Sequence, residues 1–158
     1  MYNHIMADDL RRRWAMSVGL VLAFVLSAST LVIPAHALRS GVVHKFSSYN
    51  EYSESISEGK TVFITAYKAS WCGHCKKLAP VWERLAAALE DVPNVVVAEV
   101  ECPSQKQICN EAGVKGFPTI KSVFAGEVKE LYSGKRELAS LEKFARSQGM
   151  LWSAETVQ

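Results

Sequence analysis

Charge of one sign is scarce in this chain. Against 18 Lys and Arg stand 16 Asp and Glu, a formal net charge of +2 over 158 residues. That balance draws no dense basic face and argues against nucleic acid as a partner. Internal repeats, low-complexity tracts and Asn-x-Ser/Thr acceptors are missing as well, which excludes a repeat architecture and N-glycosylation as ways of reading the chain. Cysteine is limited to four residues, and only Cys72 and Cys75 are close neighbours. Zinc usually wants a second close pair of ligands, and Cys102 and Cys109, seven residues apart, do not supply one. With 49% hydrophobic residues, a chain of this length can bury an ordinary core without a metal or many staples. One compact domain is expected.

The one long hydrophobic run lies at the front. Arg11-Arg12-Arg13 precede an apolar stretch from Trp14 to Ile33, and Pro34-Ala35-His36-Ala37 offers small residues at the two positions a signal peptidase reads. Residues 1–37 are therefore expected to be a signal peptide cleaved after Ala37, or an uncleaved signal anchor, since about 20 apolar residues can span a bilayer. Either way the arginines stay cytosolic and residues 38–158 are delivered to the lumen or outside. A membrane is a partner only if the segment is kept. The compartment is oxidising, so the cysteines can pair.

Cys72-Gly73-His74-Cys75, preceded by Trp71 and followed by Lys76-Lys77, carries the chemistry. Two cysteines separated by two residues at the start of a helix can open and close a disulfide without unfolding the domain. Cys72 would sit, exposed, where unpaired backbone N–H groups and the positive end of the helix dipole favour thiolate over thiol. It is the candidate nucleophile. Cys75, one turn further in and more covered, would close the ring or resolve a mixed disulfide. His74, as a cation, would further stabilise the Cys72 thiolate. A structural disulfide and half a zinc site are the other uses of such a pair.

The remaining pattern is alternating strand and helix. A strand is expected over Val42–Phe46, then a helix opened by a Ser48/Glu51 capping box and ended by Gly59. The β-branched and aromatic run 61–67 reads as a central strand buried on both faces. It delivers the chain to Cys72. From there to about Glu90 the apolar residues Leu78, Val81, Trp82, Leu85 and Leu89 recur at helical spacing, with Pro80 inside, where it should kink the helix. Val95–Val100 reads as a second buried strand parallel to the first. A short helix over 103–112, a hairpin over 120–132 turning at Ala125-Gly126-Glu127, and an amphipathic helix over 136–148 with Gly149 beyond its end complete the series. Residues 152–158 carry no readable signal.

This order of elements, together with Trp-Cys-Gly-His-Cys-Lys and the turn Gly116-Phe117-Pro118-Thr119, resembles the thioredoxin superfamily. The dipeptide Gly73-His74 is similar to its protein disulfide isomerase branch. The resemblance covers about Val42 to Gln148 and implies an α/β thioredoxin-like fold, a central mixed β-sheet flanked by helices. It also implies that the Phe117–Pro118 bond is cis and aims a backbone edge at the two sulfurs, able to pair with an extended substrate segment. Trp71, Phe117 and Pro118 are then the substrate-contacting residues, although Trp71 can equally serve as a lid. Arg136 matches an arginine that can swing toward the inner cysteine and lower its pKa; a solvated helix start is the plainer reading. Cys102 and Cys109 match a second, structural disulfide of some isomerase domains, with a redox-sensing pair as the alternative.

One departure stands out. Isomerase domains carry a buried glutamate five residues before the motif tryptophan, paired with a lysine on the next strand, and here those positions are Ala66 and Glu99. Glu99, near the inner sulfur and paired with Lys68, is expected to take over the proton shuttle; the plainer reading has it facing solvent or only balancing Lys68.

The activity expected is thiol–disulfide exchange of the isomerase type on cysteine-containing client proteins, in the endoplasmic reticulum lumen or outside the cell. Glutathione or an upstream thiol oxidase would be the redox partner, and no metal or organic cofactor is required. A redox-weak client-binding holdase and a dedicated reductase of one partner protein are the alternatives. Residues 155–158, Glu-Thr-Val-Gln, are not a Lys-Asp-Glu-Leu type retrieval signal.

Overall fold

One central strand, buried on both faces, organises the molecule. The structure is a computed structural model that describes residues 41–155, so the expected signal segment 1–37 lies outside the described residues. Strand β2, Val62–Lys68, is buried along its length except at half-buried Lys68. Its side chains point to opposite faces in turn. Val62, Ile64 and Ala66 join one core, and Phe63 and Tyr67 join another.

Strand β3, Val95–Glu101, lies parallel to β2 with Ala66 opposite Glu99 and Lys68 opposite Glu101. On its other side β3 pairs with β1, His44–Lys45. Strand β4, Thr119–Phe124, runs antiparallel to β2, and β5, Glu127–Leu131, antiparallel to β4. The sheet is therefore mixed, in the order β1-β3-β2-β4-β5.

Helices cover both faces. Helix α2, Gly73–Ala88, and helix α4, Leu138–Glu155, place Leu78, Trp82, Leu85, Leu141 and Phe144 on the Ile64 side. Helix α1, Tyr49–Ser57, and helix α3, Lys106–Glu111, place Tyr52, Ile56 and Ile108 on the Phe63 side. Two internal polar ties fix this packing. The Trp82 indole N–H donates to the Ala98 carbonyl at 3.0 Å, and the Tyr52 and Tyr67 hydroxyls meet at 3.1 Å.

Several boundaries differ from the sequence reading. The first strand keeps only two residues as a short edge strand. The Ser48 hydroxyl accepts the Glu51 N–H, yet the Glu51 carboxylate accepts from Ser47 N–H and Oγ–H, so the expected reciprocal box is displaced by one residue. Helix α3 starts three residues late because the N–H groups of Ser104 and Gln105 both turn back to the Glu101 carbonyl. Helix α4 runs straight through Gly149 rather than stopping there. A Cβ at Gly149 would lie 2.6 Å from Val95 Cγ2, so this glycine serves a close helix–sheet approach and not a helix end. The continuation is held by Trp152, whose ring stacks on Phe124 at 5.6 Å. The hairpin turns on Ala125-Gly126, both at positive φ, the combination that matches strand twist in a two-residue turn.

Candidate active site

Strand β2 and helix α2 meet at the dithiol. After buried Ala69 the chain turns, with the Cys72 N–H donating to the Ala69 carbonyl at 3.0 Å, and Cys72 becomes the N-cap of α2. Its sulfur accepts the Cys75 N–H at 3.4 Å, the role a serine or aspartate oxygen plays at other helix starts. The Cys72 thiol also points at the Phe117 carbonyl, 3.7 Å away. Cys72 and Cys75 are both free thiols.

The expected contrast in exposure is small: Cys72 is 8% accessible and Cys75 6%. Cys72 is covered because it packs with Ala69, Cys75 and Phe117 in one small apolar cluster. The contrast lies in electrostatics instead. A hydrogen bond with the Cys75 thiol, the backbone N–H groups of Cys75 and His74, and the Arg136 charge together hold the Cys72 pKa below the usual thiol range, against the opposing effect of desolvation. Burial pushes the Cys75 thiol up, helped by its hydrogen bond to Cys72 and by negative charge at Cys72 and Glu101. His74 acts on Cys72 through its backbone N–H, and the residue is exposed. Gly73, also exposed, is the first residue of the helix.

Opposite the sulfurs lies the Phe117–Pro118 peptide, which is cis. Arg136 Nη2 donates to the Pro118 carbonyl at 3.1 Å. Its charge favours a thiolate at Cys72, the outer sulfur, whereas the resemblance implied service to the inner one. The Trp71 ring is 71% exposed and meets Phe117 edge-on at 5.9 Å, so it flanks the dithiol rather than closing over it. Cys102 and Cys109 are disulfide-bonded across the start of α3 and share a core cluster with Phe117 and Val114.

Below Cys75, on the α2 side of the sheet, Ala66 leaves space. Cys75, Ala66, Lys68, Trp82 and Glu99 line a cavity of about 10 Å³, room for a single water. The Glu99 side chain, 14% accessible, pairs with Lys68 at 3.1 Å and with Lys45 at 3.4 Å. The structure therefore brings Glu99 and Lys68 together and adds Lys45, a partner from β1 that the sequence reading missed. Glu101 was missed too. It lies on the same face as Glu99, two residues on, and its carboxylate accepts the Ser70 N–H at 2.7 Å. Strand alternation, which places residues 99 and 101 on one face, was the available signal. Among the described residues no group of three or more His, Cys, Asp or Glu side chains is arranged to hold a metal ion.

Residues 43–147 match the pattern of the Thioredoxin family. Protein disulfide-isomerase 5-1 of Arabidopsis thaliana is 30% identical over 129 residues, 82% of this chain and 87% of that protein. Protein disulfide isomerase-like 2-2 of Oryza sativa subsp. japonica is 33% identical over 134 residues, 84% of this chain but 34% of that protein, so the chain spans about a third of its length. Among solved structures, the first thioredoxin domain of mouse protein disulfide-isomerase A4 superposes with a TM-score of 0.62 at 27% identity, covering 70% of this chain and 76% of that one. Fold and relatives together define a thiol–disulfide oxidoreductase. More particularly, the chain belongs to the thioredoxin family, alongside its protein disulfide isomerase-like members.

Proposed function

We propose that this protein exchanges disulfides with cysteine-containing clients of the secretory pathway through Cys72 and Cys75. The observation that carries the reading is the opposite treatment of two adjacent sulfurs, one pushed toward thiolate and the other held as thiol. In the oxidised form a client thiolate attacks Cys72, and Cys75 leaves as thiolate and takes up a proton. A second client thiolate then attacks the client sulfur of the mixed disulfide, Cys72 leaves as thiolate, and the client is oxidised while the pair is reduced. In the reduced form the Cys72 thiolate attacks a client disulfide and one client sulfur leaves. Cys75 then loses its proton and attacks Cys72, releasing the client as thiolate, or a client thiolate attacks the client sulfur of the mixed disulfide, Cys72 leaves as thiolate and the client is isomerised.

Glu99 is the proposed acceptor and donor of the Cys75 proton, across the cavity the two residues share. Trp71, Phe117 and Pro118 form the proposed client surface, with backbone pairing beside Pro118 and apolar contact at Trp71. Residues 1–37 are the proposed secretory signal, which places residues 38–158 in the endoplasmic reticulum lumen or outside the cell.

Insulin reduction tests the reading. Cys72→Ser/Cys75→Ser should lose turnover, whereas a holdase would keep its protection of the client. The Glu99→Gln protein should exchange more slowly than the parent across about pH 6 to 8, and equal rates would remove Glu99 from the mechanism.

A further inference from the structure

The three-residue link between β2 and the dithiol, Ala69 to Trp71, is short of internal support. Within it the Cys72 N–H to Ala69 carbonyl bond closes the turn, and Trp71 is exposed. The Ser70 N–H points instead across to β3, where Glu101 Oε1 accepts it at 2.7 Å, the length of a charge-assisted bond. Glu101 is itself held on both sides. Its carbonyl accepts from Ser104 and Gln105, and the next residue, Cys102, donates its N–H to the Lys68 carbonyl at 2.9 Å and is locked in the disulfide to Cys109.

We propose that Glu101 positions the dithiol: its carboxylate ties the Ser70 amide to β3, fixing the turn that delivers Cys72, and sets a negative charge on the Cys75 side of the pair.

The charged groups around the pair support this division. From β2 and β1, Lys68 and Lys45 turn to Glu99 on the same face. Lys68, although opposite Glu101 in register, therefore leaves Glu101 to the Ser70 amide. From the loop before α4, Arg136 holds the Pro118 carbonyl and favours thiolate at Cys72. On α2 itself the His74 side chain is exposed. Glu101 disfavours a second negative charge at Cys75, adding to the larger effect of burial. Opposite charges thus act on the two sulfurs, Arg136 on the outer and Glu101 on the inner, and both steer ionisation to Cys72.

This proposal rests on the Cys72–Cys75 pair being the exchanging dithiol, and its test separates the two ideas. Thiolate absorbance against pH is recorded for Cys75 in a Cys72→Ser background, with residue 101 as Glu or Gln. Glutamine keeps an oxygen for the Ser70 N–H and loses the charge, so the Cys75 titration should move to lower pH. In the otherwise intact reduced protein, Cys72 alkylation near pH 7 should be almost unchanged in Glu101→Gln. In Glu101→Ala, with the tether gone, it should slow on the order of fivefold, the factor one hydrogen bond is worth. Matching far-ultraviolet circular dichroism and urea midpoints confirm that each variant is folded as the parent is. A Cys75 titration unmoved by Glu101→Gln, or equal Cys72 rates in the Gln and Ala proteins, overturns the proposal. Failure of the parent to cycle with glutathione overturns the underlying function instead.

Discussion

A sulfur at the N-cap of a helix takes its character from the donors and charges around it. At Cys72 these are the Cys75 thiol, two backbone N–H groups and the Arg136 guanidinium. The folded thiol therefore ionises below its unfolded value. It adds stability to the reduced protein above the unfolded pKa and loses that contribution as pH falls through the folded one. Arg136→Gln removes a positive charge that favours the thiolate, so the Cys72 alkylation midpoint should move to higher pH, measured by mass-resolved iodoacetamide labelling. A midpoint that stays put would show that the guanidinium only tethers the Pro118 carbonyl. The spacing of the cysteines identified both residues from sequence alone. The resemblance pointed to Arg136, but that it favours thiolate at Cys72 and that Glu101 acts on Cys75 was not legible, because both are remote in the chain and reach the site only through the folded sheet.

Elements form here where local pattern and packing agree, and shift where packing alone decides. The near-continuous apolar strands β2 and β3 fall within a residue or two of the expected limits because both are buried on two faces. Helix α4 shows the opposite case. Glycine after an amphipathic run reads as a C-terminal signal, but Gly149 lies inside the helix because Val95 comes too close for any side chain. Its carbonyl is further held by Asn94 Nδ2 at 2.8 Å. Alanine would gain about 1 kcal/mol in helix propensity, against an overpacking cost of about 1–3 kcal/mol at a stiff β-branched neighbour. Gly149→Ala should therefore leave the protein no more stable, or less stable by about 1–2 kcal/mol, as read from urea midpoints. A clear gain would mean that β3 and α4 can part without cost.

At the scale of the molecule, the sheet order joins two cores and puts the dithiol at the end of the central strand. The Cys102–Cys109 bridge closes a loop of seven residues beside Phe117. Chain entropy for so short a loop gives about 2.5 kcal/mol, so Cys102→Ala/Cys109→Ala should unfold at lower urea by roughly that amount while keeping its fold. Loss of client reduction far beyond the loss of stability would show that the bridge also supports the Phe117 side of the site.

Spacing and periodicity, which need only a few neighbouring residues, were enough to specify the dithiol, the buried strands and the helix that follows Cys72, and the thioredoxin arrangement followed from the resemblance those elements and motifs carry. The parity of strand positions also put Lys68 on the same face as Ala66. Only the assembled sheet decided that Glu99 takes Lys45 as well as Lys68, that Glu101 holds Ser70, and that both sulfurs are almost equally covered. Charge and coverage depend on distances between segments far apart in the chain, and those distances exist only after β1, β2 and β3 have paired.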